Sequence, residues 1–253
     1  MITILFLLMT LAIFLLVLYE IQYFFLFEPK KYKREPLDDR FTSLEIKAQD
    51  GISLEGVIYE PKEFQNTILY FGGRSQDSVA LISKLALNFP TQRIITYNYR
   101  GYGDSKGSLN ETAMFEDALF VARKLQEHYA ELSIIGFSLG SSLAAFVAAK
   151  LYVKHLFLIG AFDSVHALTK RKFFLLPSLL IRYRFDTALH VSSVEARTYF
   201  VSSKDDTIVP LESSYSLKIR IKNLVEFQEL SGYNHDEILF SPETIDLVKR
   251  VLG

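Results

Sequence analysis

Apolar positions follow two regimes along the chain. From Ile2 to Tyr19 they are continuous, with no charge and only Thr3 and Thr10 among them. Glu20 and Gln22 break the run before Tyr23, Phe24, Phe25, Leu26 and Phe27. A helix needs about 20 apolar residues to cross a bilayer core. Residues 1–27 are therefore predicted to form a single-pass membrane anchor in contact with lipid. The aromatic group belongs at the interface, where ring bodies are buried and polar edges stay wet. The alternative is an apolar helix buried on the following domain or in a partner. A cleaved signal peptide would want a basic start, a shorter apolar run and a small-residue cleavage site, and the segment has none of these.

Beyond residue 40 short apolar runs alternate with helical spacing. Leu44–Ala48 and Ile52–Tyr59 read as strands joined at Asp50-Gly51, a hairpin turn signal. Further strands are expected at Thr67–Phe71, Arg93–Tyr97, Ser133–Phe137, His155–Ile159, Thr198–Val201 and Val225–Leu230. Helices are expected at Ser78–Asn88, Thr112–His128 (capped by Asn110 or Ser108), Leu139–Leu151, Leu211 to about Ile219, and Glu243–Val251, the last opened by Pro242. The stretch between His155–Ile159 and Thr198–Val201 reads as irregular. A hairpin followed by strand–helix repeats predicts an α/β fold with a mostly parallel sheet of about eight strands. Residues 28–40, charged and carrying Pro29 and Pro36, read as a tether, and 41–253 as one domain.

Composition narrows the partners more than the fold. Of 253 residues 49% are hydrophobic and 23% charged, which excludes a disordered chain. A net charge of −1 gives no basis for nucleic acid binding. Cysteine is absent, so disulfides, thiolate metal sites and a cysteine nucleophile are excluded. Lys30, Lys31, Lys33 and Arg34 follow the apolar helix, and the positive-inside rule then sets the domain on the cytoplasmic side.

The chemistry centres on Gly136-Phe137-Ser138-Leu139-Gly140. A G-x-S-x-G match arises readily by chance; an apolar strand entering it and a helix leaving it make it a nucleophile elbow. The turn should hold Ser138 in a strained backbone that lifts its hydroxyl above the sheet, with Leu139 N–H facing the place where an oxyanion forms. A serine hydroxyl needs a base. Of five histidines, His128 and His155 lie on predicted elements and His166 and His190 in the irregular stretch; His235 alone follows the last strand, at a sheet edge where sites form in such folds. Asp205 and Asp206 follow the penultimate strand. Either completes the chain order Ser, Asp, His, and either could instead begin a helix.

Together with Tyr97-Asn98-Tyr99-Arg100-Gly101-Tyr102-Gly103-Asp104-Ser105-Lys106-Gly107, Asp206-Thr207-Ile208-Val209-Pro210 and Gly232 to His235, the elbow resembles the α/β-hydrolase superfamily. It is most similar to the superfamily's small-cap branch of serine-aminopeptidase-like hydrolases and membrane-associated acyl-protein thioesterases. The resemblance runs from about Leu44 to the C-terminus. It implies the α/β-hydrolase fold, Ser138, Asp206 and His235 as catalytic residues, and Leu139 and Gly73 as the oxyanion hole, with no metal or organic cofactor. Asp206 is selected over Asp205 because two residues separate it from a Val-Pro pair. Phe162 to Asp186 resembles the branch's short cap, the cap as a whole taking about 161–195, and a cap this short implies an open site. Two positions depart from the branch: Ser203 replaces a glycine, and Phe71 replaces the histidine that braces the loop before Gly72-Gly73. Arg74, next in that loop, either covers the site, attracts an anionic substrate or is solvated.

The expected activity is a membrane-anchored serine hydrolase cleaving an ester or thioester, on a small-molecule, lipid or acylated substrate. Two alternatives stand beside it: a peptidase or amidase of the same fold, and a non-catalytic scaffold, for which the altered loop is the sole support.

Overall fold

Eight strands lie side by side in one sheet, in the order β1-β2-β4-β3-β5-β6-β7-β8. They are β1 (Phe41–Lys47), β2 (Ser53–Tyr59), β3 (Asn66–Phe71), β4 (Gln92–Tyr97), β5 (Leu132–Phe137), β6 (His155–Ile159), β7 (Arg197–Ser203) and β8 (Leu224–Leu230). The pairs β1–β2 and β2–β4 are antiparallel and the rest parallel. The α/β class, the strand number and the antiparallel N-terminal pair are those the sequence predicts. This computed structural model describes residues 2–34, 36–129 and 131–253. Met1, where the predicted anchor begins, Glu35 in the predicted tether and Ala130 in the predicted domain lie outside the described residues.

The helices are α1 (Ile2–Leu26), α2 (Ile82–Asn88), α3 (Glu111–Gln126), α4 (Leu139–Ala148), α5 (Val165–Lys172), α6 (Thr187–Val191), α7 (Leu211–Lys218) and α8 (Pro242–Leu252). Because side chains alternate across a strand, each central strand feeds two cores. Leu69, Phe71, Ile134, Leu156 and Leu158 pack with Met114 and Ala118 of α3 and Leu143 of α4. Ile68, Tyr70, Ile135, Phe157 and Ile159 pack on the other face with Ile82 and Leu85 of α2 and Leu247 and Val248 of α8. Burial on both faces is why these strands read as continuous apolar runs.

Local chemistry accounts for where elements start and stop. The hairpin turn uses Gly51 at φ +83°. Asn110, rather than Ser108, caps α3 by accepting the Ala113 N–H at 2.9 Å. Helix α2 begins at Ile82, four residues later than its spacing predicts. Asn98 and Asp77 side chains take the N–H groups of Ser78, Val79 and Ala80 into a turn instead. Helix α4 ends at Ala148, short of the predicted Leu151. The stretch expected to be irregular holds α5, α6 and a 3-10 turn at Ser178–Leu180.

Helix α1 carries 25 residues, and none of its side chains is buried. Its apolar stretch is thus not buried on the domain. The chain after it is fastened down. Phe27 is buried against Tyr183 and Phe185, Glu28 N–H donates to Arg74 C=O at 3.3 Å, and Arg34 pairs with Glu55 and Asp77.

His155, at the start of β6, is buried with its Nδ1 unpartnered. Burial, with help from Arg197 and Lys154, lowers its pKa from the ordinary 6.5, and burial does the same to His190. The unfolded chain therefore takes up protons first as pH falls below 6.5. Stability is full above that value and declines as pH drops toward the lowered folded values. Thermal unfolding midpoints measured between pH 7.5 and 5, a range of about two and a half units around the histidine pKa, should fall with acidification. His155→Leu should shallow that slope.

Candidate active site

The tight turn between β5 and α4 gives the site its shape. Ser138 sits there at φ +52°, ψ −119°, a region costly for a residue with a Cβ. The flanking glycines are needed for space. A Cβ at Gly140 would lie 2.2 Å from the Phe71 carbonyl oxygen, and one at Gly136 2.7 Å from the Ser141 Cα. The strand-to-helix turn thus presses against the end of β3, and the strained conformation expected from the motif is present.

His235 reaches this turn from the loop after β8. Its Nε2 lies 2.7 Å from Ser138 Oγ and its Nδ1 2.6 Å from Asp206 Oδ2. The ring packs on Phe137 at 5.2 Å and passes Gly160, where φ is +57° and a Cβ would meet the imidazole at 3.3 Å. Asp206 Oδ1 accepts the N–H groups of Ile208 and Val209, both at 2.8 Å, so the carboxylate is held on one oxygen and presents the other. Asp205 faces away and accepts the Gly232 N–H at 2.6 Å. Ser203, the departure from glycine, donates its hydroxyl to Tyr233 C=O at 2.5 Å and accepts the Asp205 N–H at 3.1 Å. It thereby ties the acid loop to the histidine loop. The remaining histidines stand elsewhere; His190, for example, packs on Phe115 and Phe146.

The loop after β3 lies across from Ser138. A Cβ at Gly73 would be 3.4 Å from Ser138 Cβ, which sets its backbone at the site. Leu139 N–H, in the first turn of α4, has no protein acceptor among the described residues. The Gly73 N–H, however, donates to Gln76 Oε1 at 3.0 Å, and the buried Tyr70 hydroxyl donates to the same oxygen at 2.6 Å. Burial raises the Tyr70 pKa, so it stays a donor.

Phe71 is buried against Tyr97, and the bracing that a histidine would give comes from other groups. Tyr99 hydroxyl donates to Gly72 C=O at 2.8 Å, and Tyr102 hydroxyl donates to Arg74 C=O. Asn98 Nδ2 donates to Asp77 and Glu55 at 2.8 and 2.9 Å. The motif around Tyr97 to Gly107 is thus the brace of this loop. The Arg74 side chain is engaged by α1: its guanidinium donates to Phe25 C=O at 2.7 Å, at the C-terminal end of that helix. Gln76 carries no sequence signal as a site residue, being a single polar residue in a loop.

Ser138, His235 and Asp206 keep 7%, 6% and 9% of their exposure. Asp163, just past β6, is clamped by Arg171 (3.0 and 2.6 Å) and by Ser213 Oγ at 2.7 Å, which folds the 161–195 segment down on α7. Among the described residues no three His, Asp or Glu side chains gather as a metal-binding group.

A family described as alpha/beta hydrolase fold matches residues 67–190. Lysophosphatidylserine lipase ABHD12 of Danio rerio is 27% identical, over 76% of this chain and 60% of the relative. The Xenopus tropicalis protein of the same name is 25% identical, over 63% and 50%. The chain spans 60% or less of the length of these curated relatives. Among solved structures, the esterase Pf2001 of Pyrococcus furiosus superposes with a TM-score of 0.69 at 16% identity, covering 90% of this chain and 97% of that one. The esterase EaEST of Exiguobacterium antarcticum gives 0.66 at 18%, covering 84% and 100%.

Proposed function

Because the chain has the α/β-hydrolase fold, we propose that it is a membrane-anchored serine hydrolase that cleaves acyl esters of lipids through an acyl-enzyme. The observation that carries the reading is the unbroken line from Asp206 through His235 to Ser138, with links of 2.6 and 2.7 Å. Asp206 fixes the tautomer in which Nδ1 holds the proton, leaving Nε2 free to accept. Nε2 takes the Ser138 proton as Oγ attacks the ester carbonyl, and then gives it to the leaving alcohol. Water, deprotonated by the same nitrogen, releases the acyl group and restores Ser138.

Leu139 N–H is one donor to the tetrahedral oxyanion. Gly73 N–H becomes the second when Gln76 Oε1 gives it up. Charge developing on the substrate oxygen favours that exchange, because a charged acceptor makes the stronger hydrogen bond.

The substrate class rests on two supports. Relatives named as lysophosphatidylserine lipases point to lipid esters, and α1 is long and apolar enough to cross a membrane. The basic residues after α1 favour the cytoplasmic side for the domain, and protease protection in sealed vesicles reads that orientation. The substrate test uses the full chain in phosphatidylcholine vesicles, offered single-chain phospholipids, long-chain acyl thioesters and aminoacyl amides. Fatty acid should be released from the lipid ester fastest. Cleavage of the amide or thioester with the lipid ester untouched would overturn the substrate assignment.

A further inference from the structure

Outside the site, the largest apolar exposure in the globular part belongs to one short segment. In Phe173-Phe174-Leu175-Leu176-Pro177-Ser178-Leu179-Leu180, Leu175 is 81% exposed and Leu179 90%, with Phe173 and Phe174 also in the open. Four large apolar side chains clustered in eight residues are far from the scattered surface leucines of a soluble domain.

Where this segment sits is fixed by α1. Gln22 Nε2 donates to Leu180 C=O at 2.7 Å, and Gln22 Oε1 accepts the Arg182 N–H at 2.9 Å. Arg182 pairs with Glu20 at 2.5 Å and lies over the Tyr19 ring. Residues 180–185 thus run along the last turns of α1, down to Phe27 against Tyr183. At 1.5 Å per residue the uncharged part of α1 up to Tyr19 is about 27 Å long, close to the hydrocarbon thickness of a bilayer. Glu20 and Gln22 then lie where the helix leaves the hydrocarbon, and the segment bonded to them is held at that level.

Charge agrees with this placement. The last turn of α5 is Lys170, Arg171 and Lys172, with no acidic residue in the helix. Arg171 is taken by Asp163. Lys170 Nζ ties the turn by donating to the Phe174 and Leu176 carbonyls at 2.9 and 2.8 Å. Lys172 pairs with no carboxylate among the described residues. Apolar side chains at the tip and lysines behind them suit a lipid headgroup boundary, where apolar groups enter the acyl region and cations meet phosphate.

We infer that residues 173–179 insert into the lipid–water interface beside α1, a second membrane contact that seats the catalytic domain on the bilayer. This rests on the reading of α1 as a membrane anchor. The absence of native cysteine permits a direct test. Leu175→Cys, Phe14→Cys and Tyr152→Cys chains each carry one environment-sensitive nitrobenzoxadiazole label. Phe14 lies within α1, and the exposed Tyr152 precedes β6, at the end of the parallel strands opposite to Ser138.

In phosphatidylcholine–phosphatidylglycerol vesicles, labels at 175 and 14 should shift to the blue and lose most of their emission to brominated lipid, while the label at 152 does neither. Quenching at 14 without quenching at 175 overturns the inference and leaves the anchor standing. A blue shift at 175 without lipid quenching also overturns it, and assigns the segment to a protein contact such as a second copy. No quenching at either 14 or 175 removes the anchor, and the inference with it.

Discussion

A Ser138→Ala chain, folded and inserted in vesicles, is expected to hydrolyse lipid ester at least about a thousandfold more slowly than the unaltered chain. In the proposed mechanism the Ser138 oxygen forms the acyl bond, and among the described residues His235 Nε2 has its short contact to Ser138 Oγ. Background left by the oxyanion donors and by binding should survive, so the rate need not fall to that of water. The substitution leaves backbone strain in place, since alanine at φ +52° has the same Cβ as serine. Ser138→Gly removes it. That variant should lose activity to the same degree while gaining about 1 kcal/mol of stability, measured as a raised thermal midpoint in detergent. Activity lost alongside stability in both variants would instead mark Ser138 as a structural residue.

The second large effect separates two neighbouring carboxylates. Asp206→Asn should lower kcat/KM by about ten-thousandfold, or about 5 kcal/mol of barrier. The reason is visible in the hydrogen bonds. One oxygen of Asp206 is held by the Ile208 and Val209 N–H groups, so an asparagine there keeps its carbonyl oxygen on those donors and turns its NH2 toward His235 Nδ1. Nδ1 must then accept, the proton moves to Nε2, and the ring can no longer take the Ser138 proton. Asp205→Asn keeps an acceptor for Gly232 N–H and touches no ring atom, so its kcat/KM should stay within about threefold, the effect of a surface change of roughly 0.5 kcal/mol. Steady-state kinetics on one soluble ester for both variants decides the matter. Equal losses would contradict the assignment of Asp206.

Sequence patterns reached the sheet because its strands are buried on both faces and therefore appear as uninterrupted apolar runs, set off by turn residues such as Asp50-Gly51. They reached Ser138 and His235 because an elbow and a post-strand loop have fixed places in this topology. Composition could not separate Asp205 from Asp206, since the distinction lies in which carboxylate the Ile208 and Val209 amides hold; resemblance made the selection that the geometry matches. Helix α5 was missed because no residue in it is buried, so no apolar period marks it. Arg74 and Gln76 were opaque for a different reason. Their partners, Phe25 C=O and Gly73 N–H with Tyr70 hydroxyl, are backbone and side-chain atoms brought together only by the fold.

Phe71 illustrates both halves. The loss of the bracing histidine is readable in sequence, while its replacement by Tyr99, Tyr102 and Gln76 as braces is readable only in three dimensions.

In the proposed mechanism His235 and Asp206 activate Ser138 as a nucleophile. Reaction of this chain in vesicles with a fluorophosphonate, followed by peptide mass mapping, is the direct test. One adduct is expected, on Ser138, and it should disappear in His235→Ala chains of unchanged thermal midpoint. A folded protein that leaves Ser138 unlabelled, or labels it equally well without His235, would contradict it.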